Sequence, residues 1–164
     1  MSFSAQLQPI LARLTGFQST VAKTSTLTDP GGVVMAIDFL EVDSLSCSVE
    51  EIRLEVPSLN NADMQTLEDW ANALCGRITY LLENIGPLER DDRSGEVLIR
   101  STPPSKQATG ARYYEIMLKS RGGGRFTLKR YESIAGQHGR SPVPMQMTHE
   151  VLLKLVDDLA DTIP

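Results

Sequence analysis

The sequence predicts an α+β domain: an antiparallel sheet, made of a hairpin plus a three- or four-stranded meander, packed with N-terminal, long central and C-terminal helices. Two observations lead there. Strand-like alternation comes in blocks, first Val33 to Val56 and later Glu96 to Tyr131, instead of being interleaved with helices. Three further segments, at the start, middle and end, carry apolar residues at helical spacing. A chain of 164 residues fits one domain, residues 1–164, with enough interior to need neither disulfide nor metal.

The first helix is expected near Ser4 to Thr15. Phe3, Leu7, Ile10, Leu14 and Phe17 mark one face, and Pro9 implies either a late start or a bend, because proline suits only a first turn. The stretch STVAKTSTLTDPGG then reads as a polar connection ending in a turn. Next come two strands. In Val33 to Val42, the residues Val33, Met35, Ile37 and Phe39 share one face. In Leu45 to Val56, Leu45, Cys47 and Val49 alternate, and Ile52, Leu54 and Val56 resume in the opposite parity. A change of parity would turn the inward face outward unless an extra residue absorbs it, so a bulge or break is predicted at Glu50-Glu51. The short link Asp43-Ser44 makes the pair a hairpin.

The central helix is predicted from Ala62 to Ile85, capped by Asn61 and stopped by Gly86-Pro87. Met64, Leu67, Ala71, Leu74, Ile78, Leu81 and Ile85 form a heptad stripe, and the helix would span roughly 36 Å. The turn-rich DDRSG lies between GPLERD and the strand EVLIRST. Beyond the polar loop PPSKQATG, Tyr114, Ile116 and Leu118 share one face of a strand, with Tyr113, Glu115, Met117 and Lys119 on the other. In RFTLKRY, Phe126 and Leu128 point inward, and Arg125, Thr127, Lys129 and Tyr131 outward. AGQHGRSPVP is a loop. The last helix carries Leu152, Leu155, Val156, Leu159 and Ile163 on one stripe, with Thr148 as cap.

The triplet Gly122 to Gly124 between Arg121 and Arg125 invites a phosphate-cradle reading. A cradle needs the glycines to open a helix whose amides face the anion. Here an alternating strand follows, so the triplet is the tip of a hairpin. Basic and aromatic residues nonetheless share the outward face. Tyr113, Arg121, Arg125, Lys129 and Tyr131 are therefore the candidate residues for an anionic ligand or single-stranded nucleic acid, with charge for phosphates and rings for bases.

The net charge is −5, but unevenly spread: Gly86 to Tyr131 holds ten basic and five acidic residues, the remainder six and sixteen. Generic nucleic-acid affinity is thereby disfavoured, while one basic region stands inside an acidic chain. Cys47 and Cys75 have no zinc or redox spacing and read as reduced thiols of a cytoplasmic protein. No leader and no membrane span is expected. His138 and His149 form no metal motif, and no serine-nucleophile signature occurs. His138 with Arg140 is the best remaining anion-site candidate. Asp157-Asp158 and the other acidic pairs read as solvated surface. No catalytic residue, cofactor or metal is expected.

The central helix carries a second strip, Trp70, Ala73, Arg77 and Tyr80. Tryptophan, tyrosine and arginine are the residue types that anchor interfaces, so this strip is the candidate surface for a protein partner or for self-association. The order helix, strands, long helix, strands, helix on a small acidic chain is similar to that of bacterial type III secretion chaperones. That resemblance covers most of the chain as element order alone. It implies a dimer that holds client segments in extended form against its outside. The function expected is therefore that of a non-catalytic protein-binding, adaptor or chaperone-like domain, homodimeric, with the anionic-ligand reading as the alternative.

Overall fold

The computed structural model describes residues 1–81, 89–101 and 110–164. Three helices and nine strands follow the order α1 (Phe3–Leu14), β1 (Phe17–Thr28), β2 (Val34–Val42), β3 (Ser46–Val56), α2 (Met64–Arg77), β4 (Glu89–Asp91), β5 (Glu96–Arg100), β6 (Gly110–Lys119), β7 (Gly124–Ile134), β8 (Ser141–Val143), β9 (Met145–Thr148) and α3 (His149–Asp161). All strands join one antiparallel sheet whose main path runs β1-β2-β3-β7-β6-β5-β4. Hairpin and meander are thus one sheet, sewn together where β3 meets β7, from Ile52 opposite Leu128 to Val56 opposite Gly124. Past that seam the two strands part. Residues 46–49 of β3 pair with β9, and residues 130–132 of β7 pair with β8, so the β8-β9 segment fills the gap. β8 lies in AGQHGRSPVP, which reads as a loop from sequence, and β9 follows directly after it.

α1 starts on Ser2, whose hydroxyl accepts from the Ala5 amide, and it continues past Pro9. The late start therefore does not occur, and the proline lies inside the helix. Pro9 is exposed, while Phe3, Leu7, Leu11 and Leu14 bury the opposite side, and that burial offsets the missing backbone bond. Gly16, at φ +94°, closes the helix and donates its amide to Val42.

The polar stretch that follows is strand β1, not a connection. It pairs with β2 along both halves, interrupted by a bulge between Gln18 and Lys23. Only Leu27 in it is buried. Between β2 and β3 the predicted bulge is present. Asp38 faces Glu51 and Phe39 faces Val49, leaving Glu50 unopposed; Leu40 is the compensating extra residue on β2. The double correction lets Cys47 and Val49 face the core together with Ile52, Leu54 and Val56. Leu45 does not join them. It stands exposed in the turn, where its amide and that of Ser46 donate to Asp43 Oδ1.

α2 is shorter than the stripe predicts. Asp63, not Asn61, caps it, accepting from the Thr66 amide at 2.8 Å, and it ends at Arg77. Ile78 closes the helix at φ −101° and ψ 38° and is fully buried. The predicted last turns beyond Leu81, with the stop at Gly86-Pro87, lie outside the described residues. The β6-β7 hairpin turns at Arg121–Gly122–Gly123, with φ +74° and +118° at the two glycines, and Gly124 opens β7. α3 is capped by Thr148, as its sequence predicts.

The helices cover one face of the sheet. α1 lies against β1 and α3, and α2 against β5 and β6. Trp70 sits 6.1 Å from Phe126, centroid to centroid. Beneath them lie Met35, Ile37, Ile52, Leu54, Phe126, Leu128, Ile116, Leu118, Val97 and Ile99, all buried.

Candidate binding face and the clasp beside it

Side chains of opposite parity point to the face of the sheet that none of the described helices covers. Ala36, Arg53, Thr127, Met117 and Leu98 stand in one cross-strand row, none of them buried. The small residues Thr26, Ala36 and Thr127 leave a hollow of ≈ 330 Å³ between β1, β2, β3 and β7, with Arg53, Glu55 and Arg125 on its rim. Arg53 is fixed: its guanidinium binds Asp38 through both terminal nitrogens and Glu51 at 3.1 Å. Thr24 donates to Asp38 from the other side at 2.6 Å. Burial alone would raise the Asp38 carboxyl, but Arg53 and Thr24 outweigh it and hold it below the ordinary carboxylate value. Glu55 and Arg125 are register partners that make no ion pair among the described residues.

Further along the same face, Glu115 is 7% exposed and is held by Arg100 Nε at 3.0 Å and by both terminal nitrogens of Arg140. The Arg140 guanidinium also lies 3.8 Å from the centre of the Tyr131 ring, which packs against Tyr113 at 6.1 Å. Arg140, one half of the His138 and Arg140 candidate, is thus committed to a carboxylate. The five anion-site candidates divide. The Tyr131 face is covered, and the two tyrosines pack on each other. Arg121 is turned back to the carbonyls of Asp92 and Arg93, bracing the β4-β5 turn. Arg125 and Lys129 make no ion pair among the described residues.

The partner-strip candidates are placed differently from expectation. Trp70 is fully buried, with its indole N–H donating to Thr162 Oγ1 at 3.2 Å. It has no surface to offer a partner, because α2 turns it toward β7 and α3. Arg77 and Tyr80 form part of an internal clasp. Arg77 Nε, the Tyr80 hydroxyl and Lys154 Nζ all donate to Asp158, at 2.8, 2.8 and 2.7 Å, and Arg77 also reaches Asp161 at 2.9 Å. Only Ala73 of the strip is uncommitted surface. Asp158, read from sequence as solvated, is 4% exposed and joins the end of α2 to α3.

Burial would push the Asp158 carboxyl up; the hydrogen bonds from Lys154, Arg77 and Tyr80 together prevail and hold it at about 2. A carboxyl whose folded value lies below its unfolded value of about 3.9 stabilises fully above that pH and loses its contribution as pH falls toward the folded value. Acid unfolding followed by Trp70 emission is therefore expected to steepen between about pH 4 and pH 2. Asp158→Asn should lower stability at neutral pH and flatten the profile in that window.

Among the described residues no group of three or more His, Cys, Asp or Glu stands close enough to hold a metal ion. His149 Nε2 sits 3.2 Å from the Ser46 carbonyl, and its main-chain amide binds Leu45. Burial, with Asp43 adding to it, pushes the Cys47 thiol up to about 12, so it is no thiolate at neutral pH. No described helix is long and apolar enough to cross a membrane. Comparison with protein-family models, with curated proteins and with solved structures finds no match for this chain.

Proposed function

We propose that this protein is a non-catalytic, cytoplasmic binding module for another polypeptide, that it works as a homodimer, and that the partner lies on the uncovered face of the sheet. The observation that carries the reading is the hollow between β1, β2, β3 and β7. Its floor is made of small side chains amid long charged ones, and its rim presents both a guanidinium, Arg125, and a carboxylate, Glu55, without ion-pair partners among the described residues. A rim of mixed sign suits the mixed polar groups of a polypeptide better than the uniform charge of a nucleic-acid backbone. The covered Tyr131 ring points the same way, since base stacking there would first have to displace Arg140 from Glu115.

The test fills the hollow. Ala36→Arg places a long side chain at a half-buried surface position, at little expected cost to folding. The wild-type chain is expected to retain a specific protein from lysate, and the variant to lose it by tenfold or more while keeping its thermal midpoint. Equal retention by both would refute the proposed face. A shift of single-stranded RNA or DNA by the wild type at low salt, abolished as salt rises and by Arg125→Ala with Lys129→Ala, would favour the anionic-ligand alternative.

A further inference from the structure

Strand β1 ends the sheet, and among the described residues no strand pairs with its outer side. In an antiparallel ladder successive residues direct their main-chain groups alternately toward and away from the neighbour. The Asp29 amide donates to Val33 at 3.1 Å, which sets the alternation. Leu27 and Ser25 face β2, and Thr28, Thr26 and Thr24 turn their amides and carbonyls outward. Thr28 is already satisfied: the Gln6 side-chain amide donates to its carbonyl at 2.8 Å and accepts from its N–H at 3.2 Å. Gln6 stands where a residue of another strand would stand, and it closes that end of the edge. The bulge after Gln18 closes the other end, where regular pairing resumes at Lys23. The open edge is therefore short and bounded, with the main-chain groups of Thr24 and Thr26 as its docking points.

We infer that this edge is the self-association surface, and that two copies pair β1 to β1 about a two-fold axis at Ser25. The inference rests on the homodimer part of the reading above and places it on β1 instead of α2, whose candidate strip is committed internally. The segment is complementary to itself. With Ser25 opposite Ser25, Thr24 of one copy faces Thr26 of the other, and each pair exchanges both of its hydrogen bonds. Their side chains lie on the uncovered face, where Thr24 and Thr26 meet as cross-strand threonine pairs. The two stops also coincide, because Thr28 with its Gln6 cap comes opposite Ala22 at the end of the bulge. Charge permits the approach. The chain as a whole is at −5, yet its first 28 residues contain no Asp or Glu, and Arg13 and Lys23 are their only charged side chains. The carboxylate nearest the edge, that of Asp38 beside Thr24, is held by Arg53, so little carboxylate repulsion opposes the pairing.

Sedimentation of the full chain from micromolar to sub-millimolar concentration tests this, together with amide exchange resolved by residue. The expected result is a monomer–dimer equilibrium in which protection at Thr24 and Thr26 rises with concentration, while Ser25, Leu27 and Thr28 are protected throughout. Thr26→Pro removes an outward N–H and leaves the β1-β2 ladder intact, since edge strands tolerate proline where the N–H faces solvent. It should weaken dimerisation at least about tenfold, with the near-ultraviolet signal of Trp70 unchanged. A dimer indifferent to Thr26→Pro, with exchange at Thr24 and Thr26 independent of concentration, overturns this surface and leaves the homodimer reading standing. A monomer throughout the range overturns both.

Discussion

Replacing Trp70 by alanine is expected to cost roughly 3–5 kcal/mol of folding stability, the range for emptying a large aromatic site in a packed core. Against a total of about 5–15 kcal/mol for a domain of ordinary stability, that brings the chain close to unfolding at physiological temperature. The indole fills the space between α2, β7 and α3, with Phe126 beside it and Thr162 on its N–H. Truncation leaves a cavity and removes the donor to Thr162 Oγ1, which keeps its own bond to the Leu159 carbonyl. Urea unfolding followed by far-ultraviolet circular dichroism measures the loss, because the substitution removes the chain's single tryptophan. Trp70→Phe keeps most of the volume and should cost less. A tryptophan that anchored a partner would behave otherwise: its truncation would weaken association and leave the urea midpoint in place. A Trp70→Ala variant as stable as the wild type would therefore remove Trp70 from the core.

The second large effect belongs to Gly124. A Cβ there would stand 2.4 Å from the Val56 carbonyl oxygen and 2.6 Å from Leu59 Cβ, inside any tolerable contact. The oxygen is main chain at the β3-β7 seam, so relief requires the two halves of the sheet to separate. Gly124→Val is expected to cost about 3 kcal/mol or more, at the upper end of overpacking penalties. Gly122, two residues earlier, is a control of a different kind. Nothing lies near its hypothetical Cβ, but its φ is +74°. Gly122→Ala should cost only about 1–2 kcal/mol, the left-handed strain of an ordinary residue. Thermal midpoints of the two variants separate the explanations: equal midpoints would mean that the seam is not tight at Gly124.

The same triplet illustrates what the sequence makes legible. That the chain reverses there follows from alternation on both sides; that one glycine serves conformation and another serves space depends on Val56 and Leu59, more than sixty residues away. The parity slip at Glu50-Glu51 was readable because both sides of it bury apolar residues. β1 was not, because an edge strand with Leu27 as its one buried residue carries no apolar alternation. The heptad stripe overran α2 for a physical reason as well. Ile78 is buried and Leu81 partly so, but they reach the core from a turn, and spacing alone cannot tell a turn from another helical turn. At the candidate site, Arg125 and Lys129 could be placed on an open face from period two. The commitments of Trp70, Arg77, Tyr80, Arg121 and Arg140 could not, because each is made to a group distant in the chain. Asp158 gathers Arg77 and Tyr80 from 81 and 78 positions away.

α3 is the last element, yet the others lean on it. Asp157 accepts from the Ser4 amide and hydroxyl across 153 positions, and Thr162 receives Trp70 across 92. A ribosome delivers these residues after all the other strands and helices of the fold. Until then Phe3, Leu7 and Trp70 lack their cover, and the nascent polypeptide holds a sheet with greasy flanks and nothing to shut it. Such far-reaching pairings make assembly slow and late, so the unfinished fold depends on being shielded until α3 has left the exit tunnel.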